Sequence, residues 1–489
     1  MNNDPSPIDT GLSAPTDLRA TLAWLAAPPP LHAEDDLAPL HAHLTALRGA
    51  QAAPAQRRRL LDLLDARGKA TARRLQPEIV GVSLPLSRRS RHIVRSLQAL
   101  LLMLAEDHLQ SGDDAPLAAW RALDALASHL AISSYAGAPY GAGVWKIAHR
   151  IHHDATAGGY AGAHVREAGC TIEDAYLRAC LLACAQPASF TSHEIAQVVD
   201  YVARFSSRAT FVAHADAGGA EGVFWIDPDR DAPPTSASRL PPPAGALCFA
   251  CEQLAELAEE QADALDAGAR AADLDLPESA DTPAGHGVLR RLAHRWGTPG
   301  KRRFPRRRQN HRAELCVGLD AVRALFDGEA TTAAGATQWI VTNESPDGYA
   351  VMHVSGRTGR LAAGDVAGVR AEGKAGWEIC IVRWALSGNP EHLELGLQIL
   401  GTRAGAATLV SAGEGGDARR RPVLALPALP PIRPEEALLA PVGTAAGDAQ
   451  AMVLLVERDT LEVREIRATG LVERTAAVEL IAFAPAEAP

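Results

Sequence analysis

Lysine is nearly missing from this chain. Four of its 48 basic residues are Lys, at 69, 146, 301 and 374, and the rest are Arg. The Arg excess is read first as compositional bias, because acids still outnumber bases and the net charge is −10. That balance excludes a protein wholly dedicated to nucleic acid. Aromatics are scarce at 4%, too few for the stacking platforms that single-stranded nucleic-acid binders build. Seven cysteines are an odd number for a disulfide framework, and they sit in apolar runs such as Leu177–Ala185, as reduced core cysteines do. Long apolar runs are absent too. The longest apolar helix core, Leu97–Leu104, is far short of the ~18–20 residues a membrane span requires. The start, MNNDPSPIDT, has neither a basic nor an apolar stretch of the kind a signal peptide uses, so a cytoplasmic location is expected.

What is present suits a globular protein. At roughly 100–200 residues per domain, 489 residues make about three domains. The 41 Gly and 33 Pro allow local linkers but not global disorder. Residues 1–15 read as a loose tail and 16–206 as a helical domain. Leu60, Leu61 and Leu64, then Ile93, Leu97, Leu100, Leu101 and Leu104, recur at helical spacing. Six to eight helices fit, and Thr171 with Asp174 resembles a capping box. Residues 207–267 read as a small β/α segment, with strands at Thr210–His214 and Gly222–Ile226 and an acidic helix over Leu247–Leu265. The Gly/Ala/Asp/Pro-rich stretch 268–300 reads as a linker.

At 301 the charge inverts. Residues 301–312, KRRFPRRRQNHR, hold seven Lys/Arg and no acid. Behind them the pattern turns to strands at Ala313–Gly318, Thr337–Asn343, Tyr349–His353, Val366–Arg370, Trp377–Trp384 and Leu393–Leu400. Residues 301–404 therefore read as a small antiparallel barrel and 405–420 as a second linker. The last segment, 421–489, reads as a second β domain. The fold class expected is multidomain α+β: an all-helical N-terminal domain, a six-stranded antiparallel β-barrel and a second small β domain.

Two short segments carry the chemistry. Arg308-Gln-Asn-His-Arg312 precedes the first barrel strand, and Asn343-Glu-Ser345-Pro-Asp-Gly348 lies between two strands. Guanidinium groups four residues apart offer two planar forks that bind phosphate bidentately, read the O6/N7 edge of guanine, or stack on a purine. Asn343 can pair with a base edge, Ser345 can bond phosphate or base, and Gly348 allows a close backbone approach or a positive φ. The implied ligand is a guanine-containing phosphodiester. The same Arg spacing recurs in Arg302/Arg306 and Arg303/Arg307, so the frame stays open, and 308/312 is chosen because Arg312 abuts the strand.

An RxxxR segment followed by an [D/N]xSxxG segment at the head of a six-stranded barrel resembles PilZ domains, bacterial receptors for cyclic di-GMP. The resemblance covers about 301–404. It implies a PilZ-like barrel, with cyclic di-GMP bound by Arg308, Arg312, Asn343, Ser345 and Gly348, and Arg307 as an added phosphate contact. It also implies a receptor that is not an enzyme, and the last domain, 421–489, as a degenerate PilZ-like unit. The Arg segment would close on the nucleotide and reorient the domains, and the acidic stretch 251–280 would shield the Arg run beforehand. An unidentified protein partner would dock on the helical domain. The rival reading is RNA or single-stranded nucleic-acid binding by the basic run at 301–312, with Phe304 as its one interleaved aromatic.

Other motifs read as structural. His149 and His153 have the spacing of a metal face, but position 150 is Arg where a zincin has Glu. Cys248 and Cys251 form a lone CxxC without a second pair, so no metal is expected. Gly368–Lys374 lacks the hydroxyl of a P-loop, since Ala375 follows, and Asp227-Pro-Asp229-Arg-Asp231 lacks the Gly and Glu of a calcium loop. No catalytic triad or paired-carboxylate site is legible.

Overall fold

A computed structural model describes residues 18–111, 114–214, 220–298, 304–327, 335–356, 358, 361–389, 392–412, 418–430, 433–445, 451–457 and 461–486. The tail expected at 1–15 lies outside the described residues. Eight helices build the first domain: α1 (Leu18–Ala26), α2 (Leu37–Gly49), α3 (Pro54–Leu75), α4 (Arg88–Gln110), α5 (Ala115–Tyr135), α6 (Val144–Ala157), α7 (Ile172–Cys184) and α8 (Ser192–Phe205). A short hairpin, β1 (His164–Val165) with β2 (Cys170–Thr171), precedes α7. The start signals act as sequence chemistry dictates. Asp114 caps α5 by accepting from Leu117 N–H, and Thr171 with Asp174 closes a reciprocal capping box on α7. The leucines of the α4 stripe, from Leu97 to Leu104, are fully buried.

Next comes a four-stranded sheet in the order β3-β6-β4-β5, formed by β3 (Thr210–Val212), β4 (Val223–Ile226), β5 (Thr235–Ser236) and β6 (Leu247–Ala250). The acidic helix expected from Leu247 begins only at Glu252. Its first residues, including Cys248 and Phe249, pair with β3 and β4 as β6, because an apolar four-residue run carries no helical period of its own. The helix that follows is α9 (Glu252–Asp266).

The stretch 268–300 is not a plain linker. It contains α10 (Pro283–Trp296), capped by Thr282, which accepts from Gly285 N–H, with Pro at its first position. Val288, Leu289, Leu292 and Trp296 form an apolar stripe, and Trp296 is fully buried, its indole N–H donating to Leu181 O on α7 at 3.2 Å. α9 and α10 thus share one core with the helical domain. Trp296→Ala would cost about 3–5 kcal/mol on that account.

Two closed barrels complete the chain. The first comprises β7 (Arg307–Val317), β8 (Thr337–Ser345), β9 (Gly348–Ser355), β10 (Val366–Ala371), β11 (Glu378–Asn389) and β12 (His392–Gly401), with α11 (Leu319–Phe326) between β7 and β8. The second comprises β13 (Gly405–Ala412), β14 (Ala418–Leu426), β15 (Ala437–Pro441), β16 (Ala451–Glu457), β17 (Leu461–Arg474) and β18 (Val478–Pro485). Both have the same cyclic pairing: first with second, second with third, third with sixth, sixth with fifth, fifth with fourth, fourth with first. The second linker expected at 405–420 is therefore the start of a barrel. β13 was hidden by its small residues, yet Ala406, Ala407 and Leu409 are buried. Each barrel has its own interior, around Trp339, Val351 and Leu395 in the first and Leu409, Leu454 and Phe483 in the second. A third apolar cluster, with Val322 of α11 at 0% exposure beside Ile379 and Leu439, cements the barrels together. Among the described residues no helix is long and apolar enough to cross a membrane.

Candidate functional site: an arginine edge and an interdomain cleft

The site begins where β7 emerges. Its first half pairs with β8, Arg307 opposite Glu344 and Arg308 opposite Asn343, and a one-residue bulge follows before His311 meets Val341. Bulges re-aim side chains at strand edges. Arg306, Arg307, Arg308 and Arg312 are all exposed. Among the described residues none of these four guanidinium groups has a hydrogen bond or an ion pair, although the Arg312 backbone N–H donates to Glu372 Oε2 at 3.1 Å. Several buried or half-buried arginines elsewhere are partnered. Arg290 meets Glu259, Asp263 and Asp266, each at 2.7 Å, and Arg67 meets Asp36. An unpaired row of like charges, held at fixed spacing by a strand, has the form of an anion receptor.

The neighbouring hairpin is built tightly. Ser345 pairs with Gly348 across Pro346-Asp347. The Ser345 hydroxyl is buried and donates to Asp347 Oδ1 at 2.6 Å, so it locks the turn. Gly348 has no positive φ. It is required instead by close approach, since a Cβ there would sit 2.0 Å from Leu397 O. The Asp347 carbonyl accepts from Ile399 N–H at 2.8 Å, which ties the turn to β12. Asn343 is half-buried beside Arg308. The structure thus brings Arg307, Arg308, Asn343, Ser345 and Gly348 together at one corner, with Arg312 further along the same strand. Arg302 and Arg303, the other frames of the motif, lie outside the described residues.

A cleft of about 1110 Å³ adjoins this corner. One wall is the outer face of β11 and β12, with Arg383, Trp384 and Gln398; Gln398 is the register partner of Gly348. Another is α10, with Arg291, His294 and Arg295, and a third is Leu471–Arg474 of β17. Arg306 lies at its edge. The Trp384 indole lies flat against Gly396, where a Cβ would come within 1.8 Å of Nε1. Arg383 donates to Gln398 Oε1 at 2.6 Å and forms a bidentate pair with Glu473, linking the two barrels. Burial raises the Glu473 carboxyl, but Arg383, with Arg291 and Arg295 behind it, outweighs that and holds its pKa below the usual carboxylate range.

Two segments of the chain match the models of one family. Residues 19–216 match the N-terminal domain of the cyclic-di-GMP receptor FimW, and residues 223–334 and 324–405 match its middle PilZ domain. The chain belongs to this family of PilZ-domain cyclic-di-GMP receptors. It is also similar to the cyclic-di-GMP receptor FimW of Pseudomonas aeruginosa, 26% identical over 348 residues, which are 66% of this chain and 56% of that protein. The chain spans a little over half the length of this curated relative. Cyclic di-GMP is the ligand of the FimW family, and the first barrel is its PilZ unit. The matched middle segment opens at 223, so it takes in β4, β5 and β6 of the small sheet, α9 and α10 as well as the barrel, and it ends where β13 begins.

The remaining sequence candidates fall into structural roles. The His149 ring bonds the Tyr176 hydroxyl through Nδ1 at 2.7 Å and meets Ala232 O through Nε2 at 3.0 Å, while His153 is exposed. Burial lowers the His149 pKa. Between them, unforeseen, His152 is stacked on Tyr176 at 4.5 Å and is pushed down to about 4, by burial first and by its two His neighbours second. All seven cysteines are free and buried. Asp231 caps α6 by accepting from Gly143, Trp145 and Lys146 N–H groups. Lys374 donates to the Tyr349 hydroxyl at 2.6 Å and to Glu378 at 3.1 Å, plugging one end of the PilZ barrel. The acids of α9 expected to shield the Arg run pair with Arg290 of α10 instead. α10 and Arg295 were missed by sequence reasoning. The helical period of Val288, Leu289, Leu292 and Trp296 was the available signal for the helix. Nothing local marks Arg295.

Proposed function

We propose that this chain is a cyclic-di-GMP receptor without catalytic chemistry, binding the nucleotide at the start of β7 against the β8–β9 hairpin. The observation that carries this reading is the row of exposed, unpaired guanidinium groups at Arg306, Arg307, Arg308 and Arg312 on a PilZ barrel. Arg308 and Arg312 take the phosphates and a guanine edge, and Arg307 adds a phosphate contact. Asn343 meets the base or ribose, while Ser345 and Gly348 hold the hairpin in the shape the ligand meets. Residues 307–312 already form strand, so closure belongs to the segment leading into β7 around Phe304–Arg306. Because that segment follows α10, its movement toward the nucleotide shifts the helical domain relative to the barrels. A partner docking on the helical domain would read that shift. The nucleic-acid reading has no comparable support, since both matched models belong to a cyclic-di-GMP receptor.

The test is calorimetric titration of the full chain with cyclic di-GMP, GTP and a single-stranded RNA oligomer. Saturable binding of cyclic di-GMP well above GTP is expected. RNA binding with none of cyclic di-GMP would overturn the reading.

A further inference from the structure

Arg295 is unusual among the arginines of this protein. It lies half-buried in the cleft between the PilZ barrel, α10 and the second barrel, and among the described residues it has no hydrogen bond or ion pair. The carboxylates that line the cleft are already engaged: Glu473 by both nitrogens of Arg383, and Asp266 by Arg290 and His286. On α10 the next arginine, Arg291, is held by Glu194 of α8. Arg295 therefore faces Arg291, Arg383 and Arg239, and the one acid that acts on it, Glu473, is already bonded to Arg383. A charge placed this way is costly in the free protein, since it is desolvated and surrounded by its own sign. Burial, then those three arginines, push its pKa down to about 10. Arg306, also unpaired, sits at the mouth of the same cleft, and Gln398 on its wall is the register partner of Gly348. The uncompensated positive charge is thus continuous with the motif corner, and the half-buried Trp384 offers an aromatic face between them.

Resting on the function proposed above, we infer that the nucleotide site extends beyond the barrel motif into this cleft, where Arg295 of α10 binds a phosphate group of the ligand. The anion supplies the countercharge that the fold withholds, and Arg383 and Arg306 flank it. Ligand binding then joins α10, the PilZ barrel and the second barrel at one point. A helix that sequence alone would assign to a linker becomes a wall of the receptor site.

The experiment uses the full chain and two probes, cyclic di-GMP and inorganic pyrophosphate, with Arg295→Met and Arg295→Lys. Met keeps the apolar stem and removes the charge, and Lys keeps the charge and removes the planar fork. Arg295→Met is expected to weaken cyclic di-GMP at least about tenfold, with Lys in between, while the free Met variant melts no lower than the parent. That pairing separates a ligand contact from a structural prop, which would lower the melting temperature. Unchanged cyclic-di-GMP affinity in both variants overturns this inference and leaves the proposed function standing. If the parent binds pyrophosphate through Arg295 but not cyclic di-GMP, the anion site stands on free phosphate and the proposed function fails. Binding of neither probe overturns both. Should Arg295→Met not fold, the Lys variant decides: parental affinity there contradicts a fork-to-phosphate contact.

Discussion

The two barrels share one strand pairing and differ in what the arginines beside one connection do. In the PilZ barrel, Arg307, Arg308 and Arg312 are exposed and unpartnered beside the connection between second and third strands. In the second barrel the corresponding connection carries Arg433, which is 7% exposed and donates to the carbonyls of Pro427 at 2.8 Å, Glu435 at 2.5 Å, Leu400 at 3.3 Å and Leu426 at 3.4 Å. Leu400 belongs to the other barrel, so Arg433 fastens the pair. The third strand opens with Gly348 in one barrel and with Ala437 in the other. Beside this connection, the same topology thus leaves guanidinium groups without partners in one barrel and holds one against backbone carbonyls in the other. Fold alone does not confer the site.

That contrast can be broken by substitution. The largest effect should come from Gly348→Ala, whose new methyl would meet the Leu397 carbonyl. A loss of about 3 kcal/mol in denaturant unfolding is expected, whereas Ala437→Gly in the second barrel should cost only about 1 kcal/mol. A Gly348→Ala protein as stable as the parent would show that β9 and β12 do not approach as described. Arg308→Ala and Arg312→Ala should each weaken cyclic di-GMP by roughly 10- to 150-fold, the worth of a charge-assisted contact of 1.5–3 kcal/mol. Their stability should stay within about 0.5 kcal/mol of the parent. Arg433→Ala should do the reverse, costing on the order of 2 kcal/mol through four carbonyls left unpaired, with calorimetric affinity of the folded protein retained. If Arg433→Ala abolished binding without loss of stability, the division of labour would be wrong. The smallest effect should belong to Asn343→Ala, about five- to tenfold in affinity, since it removes a neutral hydrogen bond.

The sequence made the PilZ barrel plain because its six strands are β-rich runs separated by Gly turns. All six are present, but β11 runs five residues further than expected and β7 starts six residues early, at Arg307, so the arginine motif expected before the first strand lies within it. The second barrel was half legible. Ala451–Glu457 and Val478–Pro485 carry strong β patterns, but Gly405–Ala412 is built from small residues and Ala437–Pro441 from a short Ala/Leu run beside prolines. Their strand character comes from pairing, not propensity. α10 opens with Pro-Ala-Gly-His-Gly, which locally reads as a linker, and it is helical because its later apolar stripe finds the core of α7 and α9. The motif arginines were legible as a pattern. Their exposure and their lack of acid partners among the described residues, on which the proposed site rests, are tertiary facts. So is the loneliness of Arg295, which depends on Glu194, Glu473 and Asp266 having been claimed by other arginines.

Hydrogen exchange of the full chain with and without cyclic di-GMP tests the central claim most directly, because it reads both barrels at once. Protection should rise over residues 304–312 and 343–348, with a smaller rise over α10, and residues 427–430 and 433–436 of the second barrel should exchange as before. Equal protection of both connections, or exchange unchanged over 304–312 at saturating nucleotide, would contradict the assignment of the receptor site to the unpartnered arginines of the PilZ barrel.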